Sequence, residues 1–304
     1  MKEQKKAVRP FGFADKMGYM FGDFGNDFTF ILSSSFLLKF YTDVMGVEAA
    51  VVGVVMMVAR FVDAFTDVAM GRICDKGKFT KHGKFKPWIR RMCGPVAIAS
   101  FLIYQSSLAG LPQAAKIAYL FITYILWGSV FYTSINIPYG SMASAISNDP
   151  GDRQSLSTFR TMGGMLAGAF VSVGIPMFVY DKIPQLDEAG KAVLDPTTGE
   201  ALTVDVMNGG KFTLIAGVFS VLAVLCYLLC FYLTTERVRS EASAEVQQNN
   251  NVFAMLKNAV KNRALISIIA ASIVMLLAQL TMQQMVNYVF PDYYGDGKKQ
   301  GIAT

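Results

Sequence analysis

Seven apolar segments, each near or above the length needed to cross a bilayer, limit this chain to one kind of fold. They run approximately over residues 17–41, 47–71, 88–110, 115–146, 157–180, 212–234 and 264–290. Roughly 20 helical residues span about 30 Å of hydrocarbon. Barrel strands would be about ten residues long and alternating, whereas these segments are long and rich in Gly, Leu, Val, Met and Phe. Charged residues make up only 16% of the chain, against about 25% in soluble domains. The expected fold class is an all-α polytopic membrane protein.

The net charge of +6 is not a nucleic-acid signal, because the basic residues fall in alternate loops. Residues 72–91 carry eight Lys/Arg against one acid, Asp75. The loop 181–211 carries three lysines and six acids. The positive-inside rule then places the N-terminus in the cytoplasm of an inner-membrane protein and loop 181–211 outside. The first apolar segment is too long and too polar for a cleaved signal, so it is expected to remain as a span. Cys74, Cys93, Cys226 and Cys230 show no metal-ligand spacing, and His82 is the single histidine. That inventory supplies no nucleophile–base pair and no structural metal, so neither an enzyme nor a cofactor is expected.

Acids inside the spans carry the chemistry. Asp63 and Asp67 lie four residues apart in the second segment, on one helix face. A carboxylate at the bilayer centre costs roughly 2.5–3.5 kcal/mol on insertion scales. Two on one face point to a cavity that binds a proton or a cation; pairing of Asp63 with Arg60, one turn earlier, is the structural alternative. Asp23 and Asp27 repeat the spacing in the first segment, with Asn26 beside them. Carboxylates accept ligand hydroxyls with charge-assisted strength, and the Arg160 guanidinium suits oxygen acceptors or a carboxylate. Tyr124, Trp127, Tyr132 and Tyr139 offer flat walls to a ligand or pack between helices. Gln279, Gln283 and Asn287 recur every four residues in the seventh segment, as cavity lining or helix-to-helix contacts. Asp75, at a span end beside the basic loop, is a candidate gate latch.

The organisation read from this pattern is a cytoplasmic N-terminus (1–16), a six-helix bundle (17–234), a cytoplasmic central loop (235–263) and a seventh helix opening a second bundle (264–304). Residues 247–251 read as a linker. The following stretch, with Val252, Met255 and Leu256 opposite Lys257 and Lys261, reads as a surface amphipathic helix. Six spans, a long linker and one more span resemble a transporter of two six-helix halves. The chain is therefore expected to be truncated after the seventh span.

Four stretches carry a closer resemblance: GDFGNDF with FYTDVMG (22–28 and 40–46), VARFVDAFTDVAMGRICD (58–75), HGKFKPW (82–88) and YILWGSVFYTSINIPYGSM (124–142). In this order the chain resembles the glycoside–pentoside–hexuronide:cation symporters, the melibiose-carrier branch of the major facilitator superfamily. The resemblance implies the N-terminal half of such a bundle plus the first helix of the second. It implies a cation site at Asp63, Asp67 and Thr133, with Thr66 where the melibiose carrier has asparagine. It implies sugar contacts at Asp27 and Arg160, to which the reading of the residues adds Asn26, Asp23 and Tyr132. Asn136 replaces an aspartate of that carrier and Gly140 a tryptophan, and NIPYGSM is more similar to the xyloside and glucuronide carriers. The expected function is proton- or sodium-coupled symport of a sugar, glycoside or hexuronide across the bilayer. The alternative is a non-transporting sensor or scaffold with a carrier fold, or an inactive fragment.

Overall fold

Backbone donors and acceptors in a bilayer must be satisfied within the chain, and a computed structural model meets that demand with helices. It describes residues 9–185, 191–194, 201–238 and 262–295. The helices are α1 (Phe13–Lys39), α2 (Ala49–Lys76), α3 (Lys86–Ile103), α4 (Gln113–Ile125), α5 (Thr133–Ile146), α6 (Pro150–Val179), α7 (Gly209–Leu233) and α8 (Arg263–Tyr288). The all-α bundle expected from the sequence is what forms. Three π-helical turns extend or join these rods: Phe40–Val44 after α1, Leu126–Tyr132 between α4 and α5, and Val289–Tyr293 after α8. The second of them makes Gln113–Ile146 one continuous fourth span.

Five of the helical rods are long and apolar enough to cross a membrane: α2, α4–α5, α6, α7 and α8 with its π turn. Two others among the seven expected spans fall outside that set for reasons visible in sequence. The α1 helix carries Asp15, Lys16, Asp23 and Asp27, and α3 opens with Lys86, Arg90 and Arg91 and is only 18 residues long.

Helix ends follow cap chemistry rather than apolarity. The fifth span begins at Pro150, seven residues before the apolar run, because the Asp149 side chain accepts from the Asp152 N–H and proline suits the first helical position. Asn208 and Asn262 cap α7 and α8 in the same way. Between α6 and α7 lies a hairpin, β1 (Tyr180–Pro184) against antiparallel β2 (Thr203–Met207), with Tyr180 opposite Met207. Asp205 and Met207 alternate inward on β2, as period-two strand geometry requires.

The α1 helix is the hub, packed against α6, α7 and α8, while α2 lies on α4–α5 and α3 on α7 and α5. Glycines let α1 come this close: a Cβ on Gly163 of α6 would meet the Met20 carbonyl oxygen at 2.5 Å. At the end of the bundle near the hairpin, Phe36, Phe40, Tyr104 and Phe212 form a fully buried aromatic cluster. There too the buried Lys39 ammonium pairs with Asp43 at 2.9 Å and with Asp292 at 3.2 Å. At the opposite end Asp15, 0% exposed, takes the guanidinium groups of Arg237 at 2.8 Å and Arg9 at 3.1 Å. Residues 235–238, the start of the expected central loop, are tied in by Arg237 and by main-chain bonds to Ala145. The expected linker at 247–251 and amphipathic segment around Val252 lie outside the described residues.

Candidate functional site

The helical i,i+4 rule brings Asp63 and Asp67 to one face of α2, and the fourth span supplies what they face. A cavity of about 470 Å³ opens there, lined by Arg60, Asp63, Asp67, Tyr132, Thr133 and Asn136 together with Phe30 and Trp127. The Thr133 hydroxyl donates to Asp67 Oδ1 at 2.8 Å. Ser129 Oγ donates to Asp63 Oδ1 at 2.5 Å. Ser129 and Thr133 stand one turn apart, so two hydroxyls of one helix meet two carboxylates of its neighbour.

The two acids are not equivalent. Asp63 Oδ2 also pairs with Arg60 Nη1 at 3.1 Å, and Arg60 Nη2 donates to the Tyr124 hydroxyl at 2.6 Å. The ion pair read as a structural alternative is therefore present. Asp67 makes no ion pair among the described residues and keeps only its hydroxyl donor. One arginine and two carboxylates leave the cavity wall with one uncompensated negative charge. Thr66 is turned away: its hydroxyl bonds the Val62 and Asp63 carbonyls of its own helix, as threonines in helices often do, and it does not line the cavity.

The first-span acids form a second cluster against α6. Arg160 Nε donates to Asp23 Oδ1 at 2.9 Å, so the arginine expected to contact sugar pairs with Asp23. Gly164 makes room for both acids: a Cβ there would lie 2.7 Å from Asp27 Oδ2 and 3.3 Å from Asp23 Oδ2. No described residue donates a hydrogen bond to Asp27. Asn26, 1% exposed, is spent between helices, accepting from the Tyr227 hydroxyl at 2.9 Å and donating to Asn136 Oδ1 at 3.4 Å. Asn136 thus touches both clusters. Tyr132 stacks on Phe30 with ring centroids 5.7 Å apart and lies within electrostatic reach of Asp23, Asp27, Arg160 and Arg60.

Of the other expected walls, Trp127 lines the cavity with its indole N–H unpaired among the described residues. Tyr139 is a core residue instead, stacked on Tyr19 at 4.6 Å and donating to the Tyr19 carbonyl at 2.6 Å. Gln279 and Gln283 line a separate cavity of about 480 Å³ against α6. Asn287 and Gln284 instead donate to the Ser35 and Ser34 carbonyls of α1.

The residue expected as a latch, Asp75, has an exposed side chain and contributes its main-chain carbonyl, which accepts from Lys84 Nζ at 2.9 Å. The carboxylate that fastens the basic loop is Glu236, which accepts from the Lys84, Phe85 and Lys86 N–H groups at 2.6, 2.9 and 2.7 Å. Burial pushes its carboxyl above the ordinary glutamate range, held back in part by those three donors. A signal for it existed in the sequence. Phe85 at the start of α3 has no capping side chain, so the orphan donors there required an acceptor from elsewhere.

Comparison with known proteins adds independent findings. A family model described as MFS/sugar transport protein matches residues 18–304. The chain is 30% identical over 277 residues, 90% of its own length and 54% of the relative's, to an uncharacterized symporter, YjmB, of Bacillus subtilis. It is 31% identical over 222 residues to a glucuronide carrier protein homolog of Escherichia coli, covering 73% of this chain and 43% of that one. Over 278 residues it is 27% identical to the isoprimeverose transporter of Lactiplantibacillus pentosus, covering 91% and 52%. The chain spans about half the length of the curated relatives it matches.

Proposed function

This chain belongs to the MFS/sugar transport family, in its glycoside–pentoside–hexuronide:cation symporter group, and from that premise we propose that it forms the cation-binding half of a sugar or glycoside symporter. The observation that carries the proposal is the cavity between α2 and the fourth span, where two carboxylates face two hydroxyls and one arginine. One uncompensated negative charge suits one monovalent ion, a proton or Na⁺. Asp67 with the Thr133 hydroxyl is its primary seat, and Asp63, held by Arg60 and Ser129, is the supporting one. Asp27, with Asp23 and Arg160 beside it, is the sugar-facing cluster, and Asn136 and Tyr132 connect it to the ion.

If the occupied cation site favours the sugar-binding conformation, linkage requires the sugar to raise cation affinity by the same factor. Alternating access of two helical bundles about such a site gives symport. In this reading the N-terminus is cytoplasmic, residues 17–234 form one bundle and α8 begins the other. The names of the relatives, a glucuronide carrier homolog and an isoprimeverose transporter, favour a xyloside or hexuronide.

The test is accumulation of labelled xylosides, glucuronides and β-glucosides by vesicles carrying the complete gene product, under an imposed sodium or proton gradient. Accumulation of one class above its outside concentration is expected, abolished when the matching gradient is collapsed. Binding without counterflow would favour a sensor instead.

Thr133 identifies the ion. Thr133→Val removes a hydroxyl while preserving shape, and hydrogen bonds to charged groups contribute about 1.5–3 kcal/mol. With sodium as the coupling ion, half-activating Na⁺ should rise roughly tenfold or more, and Thr133→Ser should restore it. A flat sodium titration in wild type and variant alike would assign the proton.

A further inference from the structure

The basic loop and α3 contain a feature that ion coupling does not use. Lys81, Arg90 and Arg91 converge on a recess of about 480 Å³ whose wall includes Phe231 of α7. All three cations are exposed, and no carboxylate of the described residues pairs with them. The Arg90 guanidinium lies 5.6 Å from the centre of the buried Phe231 ring, which fixes its place. The α3 N-terminus contributes no free donors here, because Glu236 takes the Lys84, Phe85 and Lys86 N–H groups.

Helical spacing places an apolar groove on the same face of α3. Gly94, Ile98 and Phe101 follow Arg90 at intervals of four, eight and eleven residues, which keeps them on one face of α3. Together with Leu214, Val218 and Val221 of α7 they line an apolar groove of about 680 Å³. The two helices run antiparallel, since Phe101 packs on Gly217 while Arg90 meets Phe231. The outer wall is exposed: Ile98 is 62% and Val221 61% accessible. A cationic recess at a span end, with an apolar groove beyond it on the same helix face, has the amphiphilic shape and charge of a single ligand class.

We infer that Lys81, Arg90 and Arg91 hold the phosphate of an anionic phospholipid whose acyl chain lies in the groove between α3 and α7. Basic pockets at the cytoplasmic ends of transmembrane helices suit such headgroups, at about 1 kcal/mol per basic residue. Three cations without an acid favour phosphatidylglycerol over zwitterionic phosphatidylcholine, and the groove favours a lipid over free phosphate. The recess takes its shape from Phe231 and the start of α3, so the site is built into the fold rather than spread over the basic loop.

The test is native mass spectrometry of the purified chain in detergent, titrated with dipalmitoyl phosphatidylglycerol and, separately, dipalmitoyl phosphatidylcholine. Phosphatidylglycerol should be retained preferentially. Neutralising Lys81, Arg90 and Arg91 to glutamine should weaken it by about fivefold per cation, on the order of a hundredfold together. Neutralising Arg72, Lys76 and Lys78, equally basic and outside the recess, should change it less than about twofold on the same scale. Gly94→Leu fills open space, since a Cβ there meets nothing within 4 Å, and should weaken the dipalmitoyl lipid while the fold and its melting point persist. Equal retention of the two lipids would overturn the proposal. So would equal losses in the two charge-neutralised variants, or displacement of the lipid by millimolar glycerol 3-phosphate.

Discussion

Asp67→Asn is expected to abolish cation-driven accumulation of the labelled glycoside while leaving downhill exchange measurable. The asparagine keeps the shape and an acceptor for Thr133 but removes the one acid of the cavity that no arginine offsets. Coupling free energies of about 1–3 kcal/mol correspond to roughly 5–150-fold shifts in apparent sugar affinity between cation-free and cation-saturated protein, and that shift should vanish. Asp63→Asn should also lose accumulation, by another route. It frees Arg60, whose guanidinium lines the same cavity, and an unpaired positive charge there repels the ion that Asp67 would hold. Counterflow in the same vesicles checks that each variant is folded and inserted. Intact gradient-driven accumulation in both variants would end the assignment of this cavity to coupling.

Glu236→Ala should be the most destabilising single change on the loop-bearing end of the bundle. It leaves two buried N–H donors and one partly buried donor at the start of α3 unpaired, the buried ones costing about 1–3 kcal/mol each, and removes the negative charge beside the buried Lys86. A total near 3–5 kcal/mol predicts a melting point lower by about 10 °C or more in detergent. Glu236→Gln retains one acceptor oxygen for Phe85 and Lys86 but turns an amide N–H toward Lys84, so its loss should be intermediate. Gly83→Ala should match the alanine variant. Gly83 has φ of +111°, and a Cβ there would fall 2.4 Å from the Glu236 carboxyl carbon. The pH dependence has a definite sign. Burial lifts the Glu236 carboxyl above its ordinary range, so the folded state holds this proton more tightly than the unfolded one. The stability it contributes is fullest at low pH and is lost as pH rises through that raised value. Glu236→Gln should flatten that part of a melting-point profile. Wild-type stability in both variants would show that the clasp carries no free energy.

The bundle and the α2 carboxylates were legible because periodicity and insertion cost act on single helices. The partners on the fourth span were only half legible. Thr133 came through resemblance, yet Ser129 stands one turn before it on the same face and could have been found by spacing alone. Arg160 with Asp23, rather than Asp27, was not legible, because the choice depends on how Gly164 lets α1 and α6 approach. Gln279, Gln283 and Asn287 share one face of α8 in sequence but divide in space: Gln279 and Gln283 face α6, while Asn287 reaches α1. Glu236 was hidden by its position in a polar stretch that composition alone reads as a linker. The missing cap on α3 was the trace it left.

The π turn at Leu126–Tyr132 has a consequence for reading any relative of this chain. A π turn holds one more residue than the α-helical turn it replaces, so the fourth span carries an inserted position just before Thr133. Removing one residue there would restore a plain helix with both flanks near their present phase, so that the turn's own side chains move most. Ser129, inside the turn, would shift against Asp63, while Thr133, just after it, would hold its place against Asp67. Single-residue deletions within the turn should therefore disturb the seat of Asp63 more than that of Asp67, and a deletion scan across the span would separate the two carboxylates by their dependence on the turn.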